Sequence, residues 1–345
     1  MHTSPQTDAR RWGGVLSRKP FWRFTGAIAF TLFLCGACER AGKTAAAPTN
    51  GIIAVSLLTL DNPHFRQIGE SIRAEGLACG YDVRVVSGDF DVGKQSEQVK
   101  TFIAQKVRAI VLSPCDSVAI GPAIRAANAA GIPVFTADIA CLAPDAKVVT
   151  HVATDNYGGG KQAAHAMIEA LQGKGGKVAI IDHKPIESCT LRVKGFKDIL
   201  AKHQAGGYAG RIEIVAEQPG GASFTGGERA AQALLSSHPS LDGLFAVNDP
   251  SALGAYRVFK KAGRADAIAW VGFDGSPAGM AAVDKGVFHA TPIQYPDQIG
   301  IETMRVIVRH FKGEALPTEW LIPTSLYRQK DSPKTRNRLN RMHHG

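Results

Sequence analysis

The chain has 345 residues, of which 45% are apolar and 20% charged, a globular composition long enough for two domains with ordinary cores. Its formal charge of +10 sits in the ends: without residues 1–38 the charge is +6, and without the tail from Arg328 onward it is about +1. A basic folded face for nucleic acid is thereby excluded, and no helix-turn-helix region precedes the body.

The first 38 residues carry Arg10, Arg11, Arg18, Lys19 and Arg23 against Asp8, and then the uncharged run FTGAIAFTLFLCGAC from Phe24 to Cys38. A basic region, a short apolar region and small residues at its end form a secretory signal. The apolar run is too short to span a membrane comfortably as a mature helix. Its ending, Leu34-Cys35-Gly36-Ala37-Cys38, resembles a bacterial lipoprotein box with Cys38 as the lipidated residue, although Cys35 stands where that box usually has Leu. Plain cleavage is the other reading. Residues 39–50 read as a tether of small residues, and 332–345 as a basic tail, either solvated or in contact with anionic lipid or a partner. These ends place the protein in the periplasm or at the outer face of the cytoplasmic membrane, anchored there by lipid.

From Gly51 onward, short apolar runs alternate with helical patterns. IIAVSLLT, YDVRVVSG, AIVLSP, IPVFTAD and VVTHVAT read as strands, with helices beginning near Phe65, Lys94, Val118 and Tyr157. The rhythm restarts with KVAIIDH, RIEIVAEQ, GLFAVND, IAWVGFD and FHATPIQ. Helices are expected over 191–202, 225–237, 251–261, 276–285 and 297–311, before a last segment, TEWLIPTSLY. Such near-continuous aliphatic strands suit parallel sheets covered on both faces. The fold class is therefore α/β, with two doubly wound parallel-sheet domains and a cleft between them.

Four cysteines follow the signal: Cys79, Cys115, Cys141 and Cys189. Cys115 and Cys141 each follow a strand, one βαβ unit apart. They are disulfide candidates if those strands are neighbours, and free thiols otherwise. No Cys or His cluster has metal-ligand spacing, so no metal is expected.

Ligands of open α/β sheets bind beyond the carboxyl ends of the strands. The residues there are Asn62, His64 and Phe65, then Asp89, Cys115, Asp116 and Asp138. In the second half they are His183, Asn248, Asp249, Asp274 and Gln294. Gly158–Gly160 lack the strand-to-helix spacing of a dinucleotide loop, and there is no Walker loop or nucleophile elbow, so no nucleotide cofactor and no catalytic residue is expected. Asp138 and Asp274 could be offered as a glycosidase pair, but no coherent catalytic set surrounds them. Amides, carboxylates and an arginine beside a ring suit the binding of a sugar. Its hydroxyls both donate and accept, and a ring covers its apolar face. Each residue also has a plainer reading: Asn62, Asp138 and Asn248 as turn or cap residues, Phe65 as core, Arg192 as a surface charge, Asp274 in an ordinary turn.

Six segments in order, DNPHF, ATDNYGGG, LRVKGF, FAVNDPSALGA, WVGFDGSP and IQYPDQIG, resemble the ribose-binding branch of the periplasmic sugar-binding proteins of ABC importers. The resemblance covers roughly residues 51–330. It implies a type I periplasmic binding protein: two lobes joined by a three-segment hinge near Thr154, Gln294 and Leu326. The first lobe would be 51–154 plus 295–326, and the second 155–294 plus 327–331. It also implies a non-enzymatic receptor, a monomer that takes a monosaccharide or polyol between its lobes and delivers it to a membrane permease. Asn62, Asp138, Arg192, Asn248, Asp274 and Gln294 match sugar-bonding positions, and Phe65 matches a ring packed on the sugar. Three positions depart from that pattern. His64 stands where a second Phe is expected, Ile139 where an Arg is, and Ala222 where a ring is, with Phe224 close enough to replace it. His64 is therefore a candidate ligand contact, and His183, Glu187 or Ser188 could supply further ones. Rival readings are a receptor reporting to a membrane sensor, the effector core of a transcription regulator, and a sugar-active enzyme.

Overall fold

The computed structural model describes residues 50–207 and 210–331. The signal with Cys38, the tether up to residue 49 and the tail 332–345 lie outside the described residues.

The first half alternates β1 (Ile52–Leu57), α1 (Pro63–Ala78), β2 (Asp82–Ser87), α2 (Val92–Ala104), β3 (Ala109–Leu112), α3 (Gly121–Ala129), β4 (Val134–Ala137) and β5 (His151–Thr154). The second runs through α4 (Asn156–Ala170), β6 (Gly176–Asp182), α5 (Glu187–Ala205), β7 (Ile212–Pro219), α6 (Phe224–Ser237) and β8 (Gly243–Ala246). It continues with α7 (Asp249–Lys261), β9 (Ala269–Val271), α8 (Pro277–Asp284) and β10 (Ala290–Ile293). Then α9 (Pro296–Phe311) returns to pack on α1, and β11 (Glu319–Ile322) and β12 (Ser325–Arg328) finish the two sheets.

The sheets have the same design, ordered β11-β5-β4-β3-β1-β2 and β12-β10-β9-β8-β6-β7. All pairings are parallel except that of β12 with β10. The central strands are buried on both faces, as their unbroken aliphatic sequence demands. The chain passes between sheets after Thr154, after Ile293 and at 323–324. The third passage precedes the expected Leu326, which pairs with Pro292 inside the second sheet. Pro323 stands directly after β11, and a residue without an N–H cannot extend a hydrogen-bonded ladder.

Helix starts follow side-chain caps. Asn62, Asp91, Asp155, Ser223, Asn248 and Ser276 each accept a backbone N–H of the first turn. The N-cap side chain makes no such bond in α3, α5 or α9; α5 begins at Glu187, four residues before its expected start, and α3 begins three residues after Val118. The Asp116 carboxylate takes the N–H groups of Val118 and Ala119 and holds the intervening segment as a turn.

Cys115 and Cys141 are free thiols, which corrects the disulfide expectation. Although β3 and β4 are neighbours, the two side chains join different cores. Cys115 lies with Ile53, Val55 and Leu57, its Sγ 3.8 Å from the Leu58 carbonyl oxygen. Cys141 packs with Ala54, Ile110 and Leu112, on the opposite face of the same sheet.

The three glycines at 158–160 belong to α4, where Gly159 makes room for the Phe273 ring and Gly160 for the neighbouring helix. A Cβ on Gly160 would lie 2.1 Å from the carbonyl oxygen of Arg192 on α5, and one on Gly195 would lie 2.2 Å from that of Tyr157. Helix propensity favours Ala over Gly by ~1 kcal/mol. Overpacking costs about 1–3 kcal/mol, more when backbone rather than side chain must move. Gly160→Ala is therefore expected to destabilise by roughly 1–2 kcal/mol net, read as a lower urea midpoint at unchanged m-value.

Candidate functional site

The carboxyl ends of both sheets face one cleft of about 460 Å³ of atom-free space, its mouth included. All eight expected ligand residues line it: Asn62, His64, Phe65 and Asp138 from the first lobe, and Arg192, Asn248, Asp274 and Gln294 from beyond the first hinge strand.

In the first lobe, β1 ends in a turn that Asn62 closes, its Oδ1 accepting the His64 N–H at 2.9 Å. Pro63 occupies the first helical position, where a missing N–H is harmless. Phe65 is buried and meets the His64 ring edge-on at 5.2 Å. The His64 Nε2 lies 2.9 Å from Asp138 Oδ1, and both side chains are largely hidden from solvent. Burial alone would lower the imidazole, but the charge and hydrogen bond of Asp138 outweigh it and hold His64 above its ordinary value. Burial would likewise raise Asp138, and His64 instead holds it below the usual carboxylate range. Asp138 itself sits at a positive φ of 69° just after β4, which turns its carboxylate toward α1.

In the second lobe, Arg192 on α5 is clamped on every side. Its Nε donates to Asn156 Oδ1 at 2.8 Å, and its Nη1 to the Val247 carbonyl at 2.7 Å and to Asp274 Oδ1 at 3.2 Å. The guanidinium lies 3.9 Å from the centre of the Phe273 ring. The same Asp274 oxygen accepts Gln294 Nε2 at 2.7 Å, and Gln294 Oε1 accepts the Thr154 hydroxyl at 2.8 Å. One chain of hydrogen bonds thus runs from Arg192 through the cleft to two hinge segments. Burial pushes Asp274 up, against the opposing charge of Arg192.

Asn248 caps α7 through Oδ1, accepting Ser251 N–H at 3.0 Å, while its Nδ2 donates to the Ala222 carbonyl at 2.8 Å. Its neighbour Asp249 turns away into the lobe, where it accepts the Ser276 N–H and hydroxyl and the Thr291 hydroxyl. Burial, with the charge of Asp274, pushes Asp249 up to about 8.

Asp89, Asp116, His183, Glu187 and Phe224 are not among the cleft-lining residues, whereas Ser188, Ile139 and Ala222 are. Phe224 opens α6 and faces Arg257 instead. Phe90, Leu58, Ile186 and Cys189 also line the cleft and were not expected there. Phe90 was legible in principle: it directly follows Asp89 in a loop after β2, and a large apolar residue at a strand's carboxyl end has no core to enter. It is half-exposed, at a φ of 60°. A larger groove beneath the amino ends of the second sheet, beside Glu169, His289 and Arg328, lies away from the strand carboxyl ends.

Two parallel-sheet lobes closing polar strand ends on one cleft define a two-lobed solute-binding protein. Residues 53–315 match the family described as the periplasmic binding protein domain, and the chain belongs to that family. It is 34% identical over 275 residues to the ribose import binding protein of Salmonella typhimurium, covering 79% of this chain and 89% of that one. It is 31% identical over 315 residues to the D-apiose import binding protein of Paraburkholderia graminis, covering 91% and 96%. Among solved structures, an ABC transporter solute-binding protein of Actinobacillus succinogenes with bound D-allose superposes with a TM-score of 0.74. That pair is 26% identical and covers 83% of this chain and 99% of the other.

The first-lobe ion pair has a defined pH signature. The raised His64 contributes stability that is complete below pH 6.5 and lost as pH rises through its folded value. The lowered Asp138 contributes stability present above pH 3.8 and lost as pH falls through its folded value. Between those limits, His64→Ala leaves a buried carboxylate unpaired and is expected to destabilise by ~3 kcal/mol. Urea titrations from pH 5 to pH 9 should show that gap narrowing above pH 6.5.

Proposed function

We propose that this protein captures a monosaccharide or polyol between its two lobes outside the cytoplasm and presents the closed form to the permease of an ABC importer. The observation that carries the reading is the partition of polar atoms in the cleft. His64 with Asp138, and Arg192 with Asp274, satisfy one another's charge within each lobe. The hydrogen bonds just described leave Asn62 Nδ2, Asp138 Oδ2, Arg192 Nη2 and Asp274 Oδ2 for a bound solute. Two donors and two acceptors suit hydroxyl groups, each of which donates once and accepts besides. Phe65 and Phe90 offer apolar cover to a sugar's C–H face. The import proteins for ribose and D-apiose, and the D-allose complex, support the same ligand class.

The protein acts by binding and does no chemistry. A solute touching both lobes favours the closed arrangement by its differential affinity for it, and hinge rotation at the three crossings carries that preference to the outer surface. We further propose that it works as a monomer held at the membrane by a lipid on Cys38.

A thermal-shift screen of residues 39–345 against pentoses, hexoses and polyols tests the reading. A solute at 100-fold its Kd stabilises the folded state by about 2.7 kcal/mol, a clear rise in Tm. A folded protein that no sugar or polyol stabilises would refute it. Against the sugar found, Asn62→Asp separates capping from binding, because it keeps the capping oxygen and replaces the Nδ2 donor by an acceptor. Titration calorimetry should show about 10-fold or greater weakening with little change in Tm of the ligand-free protein.

A further inference from the structure

Most helices that start at the cleft are capped by a side chain of their own turn, but α5 is not. Its N-cap position is Ile186, which has no capping side chain. The first N–H of α5, that of Glu187, is instead accepted by the hydroxyl of Ser117 at 3.3 Å. Ser117 lies in the loop after β3, in the other lobe. The Ser117 N–H in turn donates to the Pro185 carbonyl at 3.4 Å, so one residue makes a donor and an acceptor contact across the mouth of the cleft. Its own carbonyl is tied into the first lobe by the Leu142 N–H at 2.6 Å, and Ser117 is buried by these contacts.

The loop is built to present those two groups. Asp116 consumes the N–H groups of Val118 and Ala119, which leaves the Ser117 N–H and hydroxyl as the polar groups aimed outward. The charged residues deeper in the cleft are paired within their own lobes, so bringing the lobes together buries no lone charge. When the lobes part, the first turn of α5 loses its acceptor and turns to water.

We propose that Ser117 is a closure latch: it caps α5 from the opposite lobe and holds part of the population closed before any solute arrives. Its role is positional, since Ser117 does not line the cleft. A latch of this kind raises the apparent affinity for every solute alike, by raising the fraction of protein already competent to hold it.

The test uses ligand-free protein, so its outcome is independent of which solute binds. A nitroxide on an unnatural keto residue at the exposed Arg66 of α1 reports, by paramagnetic relaxation enhancement, on second-lobe amides at 183–189 and 221–226. Wild type is expected to show enhancement from a closed minority. Ser117→Ala should reduce that enhancement about 5-fold, the share of one ordinary hydrogen bond, while Ser117→Thr keeps the hydroxyl and most of the effect. Equal enhancement in wild type and the Ala variant overturns the proposal. So does its absence from wild type, or a Thr variant that behaves like Ala.

Discussion

Charge buried in a closing cleft must have a partner before the ligand arrives, and that constraint organises this molecule. Arg192 is the clearest case. It is held by Asn156, the Val247 carbonyl, Asp274 and the face of Phe273, which together fix a planar fork in one orientation. That clamp requires α5 to lie against α4, where Asn156 sits, at a distance only glycine permits. The clamp continues through Asp274 and Gln294 to Thr154 at the hinge. Helix packing, ligand-facing charge and hinge are thus one connected object.

The same economy explains the strand ends. A residue just after a parallel strand must both start the next helix and face the cleft. Asn62 does both with one amide: Oδ1 caps the helix and Nδ2 is left over, whereas Asn248 caps α7 through Oδ1 and gives its Nδ2 to the Ala222 carbonyl. Turn chemistry and binding chemistry are two ends of the same side chain. An Asp could cap as well but would offer no donor.

The alternation of apolar runs and helical patterns made the α/β architecture legible, because strands buried on both faces carry unbroken aliphatic sequence. The cleft residues were legible because the fold places function at strand carboxyl ends. Details that depend on which way a side chain points were not. Cys115 and Cys141 follow adjacent strands, yet they enter opposite faces of the sheet, a parity that spacing across an irregular loop does not encode. Phe224 is two residues from Ala222, but the left-handed backbone at Ala222 ends the loop and Phe224 starts a helix facing Arg257. Phe90 entered the cleft from a loop whose two consecutive positive φ values no local pattern announces. Ser117 was invisible for a different reason: its partners belong to another lobe.

The departures at His64 and Ile139 make sense as a single exchange. In the pattern this chain resembles, an arginine follows the carboxylate after β4, and a ring stands at position 64. Here Ile139 is buried apolar wall, so Asp138 would lack a cation if His64 were also a phenyl ring. An imidazole serves both needs, stacking its edge on Phe65 while its Nε2 neutralises Asp138. The exchange shortens the cation and withdraws a fork of donors, and it ties the cation to one carboxylate oxygen. Ile139 and Phe90 both line the cleft and add apolar wall to it.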